Sequence, residues 1–179
     1  MITDVTLREF GQNVPGAYLH IFTPGIRARI ASDLINACFR SLEVFSCIRP
    51  KTAPAMYEKA LKKISRDLGR AGDINIITLV PNLSGYKTFR SLGLGPDGYN
   101  HTMGIFFSAV ETHNLANLGR PLKETVEEYR TIIKDASLRH IGVVAYISAA
   151  FGYMNPKDGM IIRADLNEIN RHMDLFFDL

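Results

Sequence analysis

Three charged side chains near the start of the chain have types and spacing that could stabilise a negative charge. Arg8 and Glu9 follow the apolar run Ile2 to Leu7, and Glu43 lies in a second run, Ser41 to Phe45. If both runs are parallel strands, their carboxyl ends share one edge of a sheet, where catalytic groups collect in such folds. An arginine held between carboxylates keeps its charge and its orientation, so it can stabilise an enolate oxygen.

The alternative interpretation of Arg8 and Glu9 is a surface ion pair, which contributes little to stability. The position of Glu43 at the equivalent end of the next run favours a functional site. Carboxylate oxygens are also the ligands that Mg²⁺ and Mn²⁺ prefer, so Glu9 is a candidate metal ligand.

Apolar runs rich in β-forming residues alternate with helix-period patterns along the whole chain. The predicted strands are Ile2 to Leu7, Leu42 to Phe45, Ile74 to Val80, Thr102 to Phe107, Ile141 to Ser148 and Leu175 to Leu179. The predicted helices carry apolar stripes over 26–38, 57–68, 83–92, 122–136 and 162–173. The first of these helices has Thr23 as its N-cap and Pro24 at its first position.

This alternation predicts an α/β fold with a parallel sheet. The turn after the first predicted strand lacks the glycine-rich pattern of dinucleotide-binding folds, which favours a (β/α) TIM barrel. A complete barrel takes about 250 residues. We expect the 179 residues to form a single partial TIM-barrel domain, 1–179, with about five βα units and the start of a sixth strand, from a truncated chain or gene.

Composition and charge argue against nucleic-acid and membrane partners and indicate the cellular compartment. The net charge of +3 is small for a nucleic-acid-binding protein, and no apolar run reaches the roughly 20 residues of a membrane-spanning helix. We therefore expect a soluble, cytoplasmic protein without nucleic-acid or membrane partners. Cys38 and Cys47 suit a reducing compartment. The aromatic residues of the later strands, Phe106 and Tyr146 among them, are expected to fill the core.

Several motifs, in order along almost the whole chain, resemble those of hydroxymethylglutaryl-CoA lyase and its TIM-barrel, metal-dependent relatives. They are Leu7-Arg8-Glu9-Phe10-Gly11-Gln12-Asn13, Leu42-Glu43-Val44-Phe45-Ser46, Arg49-Pro50-Lys51, Pro54-Ala55-Met56, Val80-Pro81-Asn82-Leu83 with Gly85-Tyr86, Ile105-Phe106 to Asn117, and Tyr146-Ile147-Ser148 with Gly152. The Pro50-Lys51 and Pro81-Asn82 stretches are closest to the lyase branch.

The resemblance implies a role for each site residue. Arg8 would stabilise the enolate, Glu43 would orient Arg8, and Glu9 would bind a divalent metal, Mg²⁺ or Mn²⁺. Gln12 and Ser46 would contact an acyl-CoA substrate. The sequence departs from the family in having Glu9 where the family has aspartate, and in lacking the His-x-His pair that completes the family's metal site. The metal is therefore expected to bind weakly or not at all.

Three functions remain open at this point. The first is a carbon–carbon lyase acting on a 3-hydroxyacyl-CoA such as hydroxymethylglutaryl-CoA, weak or inactive in the truncated form. The second is a catalytically silent partial barrel that forms a homo-oligomer or pairs with a complementary barrel half, because open strand edges favour association. The third is an acyl-CoA condensing enzyme of the isopropylmalate synthase type.

Overall fold

A four-stranded parallel sheet forms the centre of this computed structural model, which describes residues 2–49, 51–68, 73–94 and 101–177. The strands lie in the order of the sequence. They are β1 Ser41–Ser46, β2 Asn75–Leu79, β3 His101–Ser108 and β4 Val143–Ser148. The predicted α/β class with a parallel sheet is therefore confirmed.

Helices connect these strands, and a short antiparallel hairpin follows β4. The helices are α1 Thr6–Asn13, α2 Pro24–Asn36, α3 Glu58–Leu68, α4 Leu83–Ser91, α5 Glu111–Leu118, α6 Leu122–Leu138 and α7 Leu166–Phe177, with 3₁₀ turns at Gly16–Tyr18 and Pro54–Met56. The hairpin pairs β5 Tyr153–Met154 with β6 Ile161–Ile162. None of the helices in the described ranges is long and apolar enough to cross a bilayer.

Helix starts follow the local capping chemistry. Thr23 caps α2, as predicted, because its side chain accepts a hydrogen bond from the backbone N–H of Ile26, and Pro24 opens the helix. Asn82 caps α4 in the same way through the N–H of Gly85 at 2.8 Å. This cap fixes the start of α4 directly after β2.

The N-terminal strand prediction is wrong. Only Asp4 pairs in β fashion, through a single parallel bridge to Leu42, and the chain then turns into α1. The Asp4 carboxylate accepts hydrogen bonds from the backbone N–H and the hydroxyl of Thr6, each at 3.1 Å, and so starts the helix. Arg8 and Glu9 therefore lie on a helix rather than at the end of a strand.

The prediction of a sixth strand at the end of the chain is also wrong. Residues Leu166–Phe177 form α7, and the last two residues lie outside the described part of the chain. The predicted 162–173 helix begins four residues later than expected, because Ile162 belongs to the hairpin. The described residues thus form a partial barrel, as predicted, but with four strands and the Asp4 bridge rather than five βα units and part of a sixth strand.

A bulge in β1 determines which side chains share a face of the sheet. Glu43 pairs with Ile77 and Ser46 pairs with Leu79, with a register shift at Val44. Ile77 and Leu79 are two residues apart and point to the same side. Glu43 and Ser46 consequently share one face although they are three residues apart. We call it the site face.

Candidate functional site

The Arg8 guanidinium and the Glu43 carboxylate form an ion pair on the site face. The Nε and Nη2 atoms of Arg8 each lie 2.8 Å from Oε2 of Glu43. Glu43 is fully buried by side chain, whereas the Arg8 side chain is 18% exposed. The hydrogen bond from Nε and the ion-pair contact of Nη2 with the same buried oxygen hold the guanidinium in a single orientation. The predicted proximity of the two residues is therefore present, although a helix rather than a strand supplies Arg8.

Glu9 completes the trio from the solvent side. Its carboxylate contacts Nη1 of Arg8, and its side chain is 57% exposed. The three Arg8 nitrogens thus face two acids, one buried and one exposed. Because Glu9 remains in water, it can leave Arg8 far more easily than Glu43 can.

Four buried polar atoms around this ion pair make no hydrogen bond of good geometry in the described structure, although the Tyr146 hydroxyl lies close enough to the Glu43 carboxylate for each group to shift the pKa of the other. They are Oε1 of Gln12, Oε1 of Glu43, Oγ of Ser46 and Oη of Tyr146. Buried polar groups in folded proteins nearly always have partners, so such a cluster indicates where a ligand or water binds. The predicted substrate contacts Gln12 and Ser46 both belong to it.

Tyr146 and Gly104 are the site residues that the sequence did not reveal. A Cβ atom on Gly104 would lie 3.2 Å from Cε2 of Tyr146 and 3.5 Å from Oε1 of Glu43. The absence of a side chain at Gly104 therefore lets the tyrosine ring and the carboxylate lie close together. A tyrosine on an apolar strand gives no signal that separates this position from a core position.

Burial raises the pKa values of Glu43 and Tyr146. Desolvation raises the pKa of Glu43 above its usual 4.5, and the neighbouring Arg8 charge opposes that rise. Desolvation, helped by the negative charge of Glu43, raises the pKa of Tyr146 to about 12. The Tyr146 hydroxyl is consequently protonated at neutral pH and available as a hydrogen-bond donor.

A cavity of about 640 Å³ opens next to Gln12 at the carboxyl ends of β1, β2 and β3. Gln12, Cys47, Thr52, Asn82 and Asn117 are among the residues that line it. The volume falls in the range of pockets that hold small organic ligands. The cavity therefore extends the site from Gln12 towards the start of α4.

A histidine bridge fixes the side chain of Asn117 at this cavity. The His113 ring lies between Ser108 Oγ, at 2.8 Å from Nδ1, and the Asn117 amide, at 3.2 Å from Nε2. Its ring centroid is 4.6 Å from that of Tyr153. α5 is thus linked to the ends of β3 and to the hairpin.

The described residues do not fit a divalent metal. No group of three or more histidine, cysteine, aspartate or glutamate side chains in the described ranges is arranged to hold an ion. Glu9 contacts Arg8 and belongs to no such group among the described residues, and one carboxylate binds Mg²⁺ or Mn²⁺ weakly.

A parallel sheet whose strands alternate with helices, with a cavity at the carboxyl ends of the strands, is the arrangement of part of a TIM barrel. Comparison with solved structures gives the same fold. The chain matches the HMG-CoA lyase of Bacillus subtilis with a TM-score of 0.80 and 22% identity, over 99% of this chain and 54% of that one. It matches an Acinetobacter baumannii HMG-CoA lyase, solved with coenzyme A and 3-methylmalate, with a TM-score of 0.75 and 19% identity, over 98% and 52%.

Sequence comparison points to the same enzymes. The chain is 26% identical over 117 residues to hydroxymethylglutaryl-CoA lyase YngG of Bacillus subtilis, covering 65% of this chain and 36% of that protein. It is 22% identical over 148 residues to the mitochondrial hydroxymethylglutaryl-CoA lyase of Gallus gallus, covering 83% and 46%. No protein-family model matches. These relatives confirm the resemblance to hydroxymethylglutaryl-CoA lyases, and the chain spans less than half the length of both.

Proposed function

We propose that the site face binds a 3-hydroxyacyl-CoA and supports lyase chemistry of the hydroxymethylglutaryl-CoA type. The observation that carries the proposal is the Arg8 guanidinium, fixed by Glu43 and surrounded by unpartnered polar atoms. When the 3-hydroxyl group loses its proton to water and the adjacent carbon–carbon bond breaks, the hydroxyl carbon becomes a ketone and the bonding electrons leave negative charge on the acyl oxygen as an enolate, which water then protonates. A fixed cation in a partly buried site stabilises this charge without reorganising during the reaction.

Exchange of Glu9 for substrate would make Arg8 available. The Nη1 group of Arg8 now contacts an exposed carboxylate, which a substrate oxygen can replace at little cost. Glu43 stays in place because breaking a buried pair is far more costly. Glu43 thus orients the guanidinium, and Glu9 neutralises its free edge until substrate binds.

The unpartnered atoms would orient the substrate. The Tyr146 hydroxyl and the Ser46 hydroxyl can donate to substrate oxygens, and the Gln12 carbonyl oxygen can accept a hydrogen bond from a substrate hydroxyl. The adjoining cavity has room for part of the coenzyme A moiety.

An activity assay tests this proposal. The chain is incubated with hydroxymethylglutaryl-CoA, with and without Mn²⁺ or Mg²⁺, and released acetoacetate is measured. We expect slow release, lost in Arg8→Lys, because lysine keeps the charge but lacks the planar fork that Glu43 orients. Glu9→Gln is the matched variant, and it should retain binding of the thioester. No acetoacetate at any protein concentration would contradict the lyase proposal.

A second candidate is the silent partial barrel that associates through its two ends. The large exposed apolar side chains of the described residues lie mostly in two groups. One comprises Ile2, Val5, Phe10, Tyr18, Ile21 and Ile26 beside β1, and the other comprises Leu138, Phe151, Met154, Met160, Ile161 and Leu166 around β4 and the hairpin. Apolar surface of this kind is typical of protein–protein contacts.

Sedimentation measures this association directly. Self-association should give a dimer or larger species at micromolar concentration, and Ile21→Glu together with Ile161→Glu should shift it to the monomer. The exposed Tyr57, which lies outside both groups, provides the control variant Tyr57→Glu. A wild-type chain that sediments as a monomer would contradict self-association.

A further inference from the structure

Arg27, on α2, is a fully buried cation for which the described structure shows no acidic partner. Its Nη1 donates to the carbonyl oxygen of Ala55 at 2.6 Å, and its Nη2 lies 3.2 Å from Sδ of Met56. Its guanidinium carbon is 5.4 Å from the centre of the Phe22 ring. Desolvation lowers the pKa of Arg27 to about 10, but the side chain remains charged at neutral pH.

A buried guanidinium without a carboxylate is costly, so the groups that it does contact are held firmly. Both hydrogen-bond partners belong to the 3₁₀ turn Pro54–Met56, between β1 and α3. The charge-assisted bond to Ala55 is the stronger of the two. Arg27 therefore ties α2 to this turn.

Met56 contacts Arg27 and also lines the cavity of the candidate site. It is 2% exposed and lines the cavity, as do Thr52 and Glu58 on the same segment. On its other side Met56 packs against Gly11 of α1, where a Cβ atom would lie only 2.4 Å from the Met56 methyl carbon. Met56 is thus confined between Arg27 and the helix that carries Arg8 and Gln12.

Cys47 lies near residues 51–58, which form one wall of the cavity, so the charge of Glu58 contributes to the raised pKa of the Cys47 thiol. It lines the same cavity and is 5% exposed, and burial raises the pKa of its thiol to about 12. A small reagent reaches such a thiol only when the neighbouring segment moves. Cys47 therefore reports on the position of the wall.

We propose that Arg27 is a positioning residue, which holds residues 51–58 against the cavity through Ala55 and Met56 and thereby sets the width of the ligand site. The inference rests on the proposed function only for its consequence for ligand binding. The position of the wall itself can be measured without any ligand.

The test measures the rate at which iodoacetamide alkylates Cys47, by mass spectrometry, in a Cys38→Ser background. The chain has two cysteines, and Cys38 is exposed, so this background leaves one reporter thiol. Arg27→Met should raise the labelling rate at least tenfold under conditions where the protein stays folded. Arg27→Lys should give a smaller increase because it keeps the charge. An unchanged rate in folded Arg27→Met would overturn the proposal.

Gly11→Ala tests the same wall from the opposite side and does not rely on the folding of Arg27→Met. The new methyl group must displace Met56, so labelling of Cys47 should accelerate, although alanine favours the helix. Gly25→Ala is the matched control, because a Cβ there meets nothing within 4 Å. Equal labelling rates in Gly11→Ala and Gly25→Ala would contradict the role of Met56.

Acetyl-coenzyme A, which has no free thiol to consume iodoacetamide, separates this inference from the proposed function. Protection of Cys47 in the wild type by acetyl-coenzyme A supports the cavity as the ligand site. Accelerated labelling in Arg27→Met, without protection of the wild type by acetyl-coenzyme A, would support the wall and contradict the proposed ligand. Protection by acetyl-coenzyme A together with equal labelling rates in the ligand-free wild type and ligand-free Arg27→Met would support the ligand and contradict the wall.

Discussion

The two ends of the site face contain similar polar residues, but the side chains at the amino end are hydrogen-bonded to one another and those at the carboxyl end are not. At the amino end, Ser41 Oγ accepts hydrogen bonds from Thr3 at 2.9 Å and from the Asn75 amide at 3.5 Å, and Thr102 donates to the Asn75 side-chain oxygen. Towards the carboxyl end, the Ser46 hydroxyl and the Tyr146 hydroxyl make no hydrogen bond of good geometry in the described structure. One end is satisfied internally, and the other is not.

Whether a buried polar group is hydrogen-bonded distinguishes structural residues from candidate ligand-binding residues better than its polarity does. Hydrogen-bonded polar groups at the amino end join the N-terminal segment to three successive strands, which fixes the sheet. Unpartnered groups at the carboxyl end cost stability and are expected where a ligand supplies the missing bonds. Variants at the two ends should therefore have opposite consequences.

The largest effect is expected from breaking the Arg8–Glu43 pair. Arg8→Met leaves a fully buried carboxylate without its partner and should lower the free energy of unfolding by about 3 kcal/mol, measured by urea denaturation at neutral pH. Because the opposing charge is gone, the pKa of Glu43 should rise further.

The double variant Arg8→Met with Glu43→Gln provides the control. It removes both charges, so it should be more stable than Arg8→Met alone, and the coupling energy between the sites should be favourable. Additive effects of the two substitutions would show that the pair does not act as a unit.

Two serines on β1 give the sharpest comparison of the two ends. Both are fully buried, and both lie on the site face. Ser41→Ala leaves Thr3 and Asn75 without an acceptor and should destabilise the chain by about 1–2 kcal/mol. Ser46→Ala removes a hydroxyl that has no partner and should change stability by less than about 0.5 kcal/mol. Thermal and urea unfolding of the two variants would measure this, and equal losses would remove the distinction between the ends.

The pH dependence of stability should reveal the burial of Glu43. Its folded pKa lies above the usual 4.5, so the folded state binds the proton more tightly than the unfolded chain does. Stability therefore falls as pH rises from 4.5 through the raised folded pKa, and it is highest on the acid side for this group. The difference in unfolding free energy between wild type and Glu43→Gln isolates this contribution from the other carboxylates. A difference that does not vary with pH would contradict a raised pKa.

The smallest effect on stability is expected for Tyr146→Phe. The hydroxyl makes no hydrogen bond of good geometry in the described structure and interacts only with the Glu43 carboxylate beside it, so its removal should change the melting temperature little. Binding of the thioester should nevertheless weaken, because the proposed donor is lost. A clear fall in melting temperature would place Tyr146 with the satisfied scaffold residues.

Much of the fold could be predicted because its signals are local. The four sheet strands are apolar runs of β-forming residues, and Thr23-Pro24 marks the start of α2 unambiguously. The prediction of an N-terminal strand was wrong because Ile2, Val5 and Thr6 have β propensity, whereas the Asp4 carboxylate accepts hydrogen bonds from the backbone N–H and the hydroxyl of Thr6 and turns the chain into α1. This local turn outweighed the β propensity of the run.

The candidate site was predictable only in part. Arg8 and Glu43 meet, and Gln12 and Ser46 carry unpartnered atoms beside them. Glu43 and Ser46 lie on the same face because of a bulge at Val44, and the sequence contains no pattern that predicts this bulge. Tyr146 depends on the space left at Gly104 on a neighbouring strand, a contact that only the assembled sheet creates.

Calorimetric titration of hydroxymethylglutaryl-CoA into the wild type, Ser46→Ala and Ser41→Ala tests the central claim most directly, namely that the unpartnered carboxyl end of the site face is the ligand site. Loss of one hydrogen bond to ligand should weaken binding by Ser46→Ala about fivefold, because a typical bond contributes about 1 kcal/mol. Folded Ser41→Ala should bind as tightly as the wild type. Absence of binding by the wild type, or equal affinities of the wild type and Ser46→Ala, would contradict the claim.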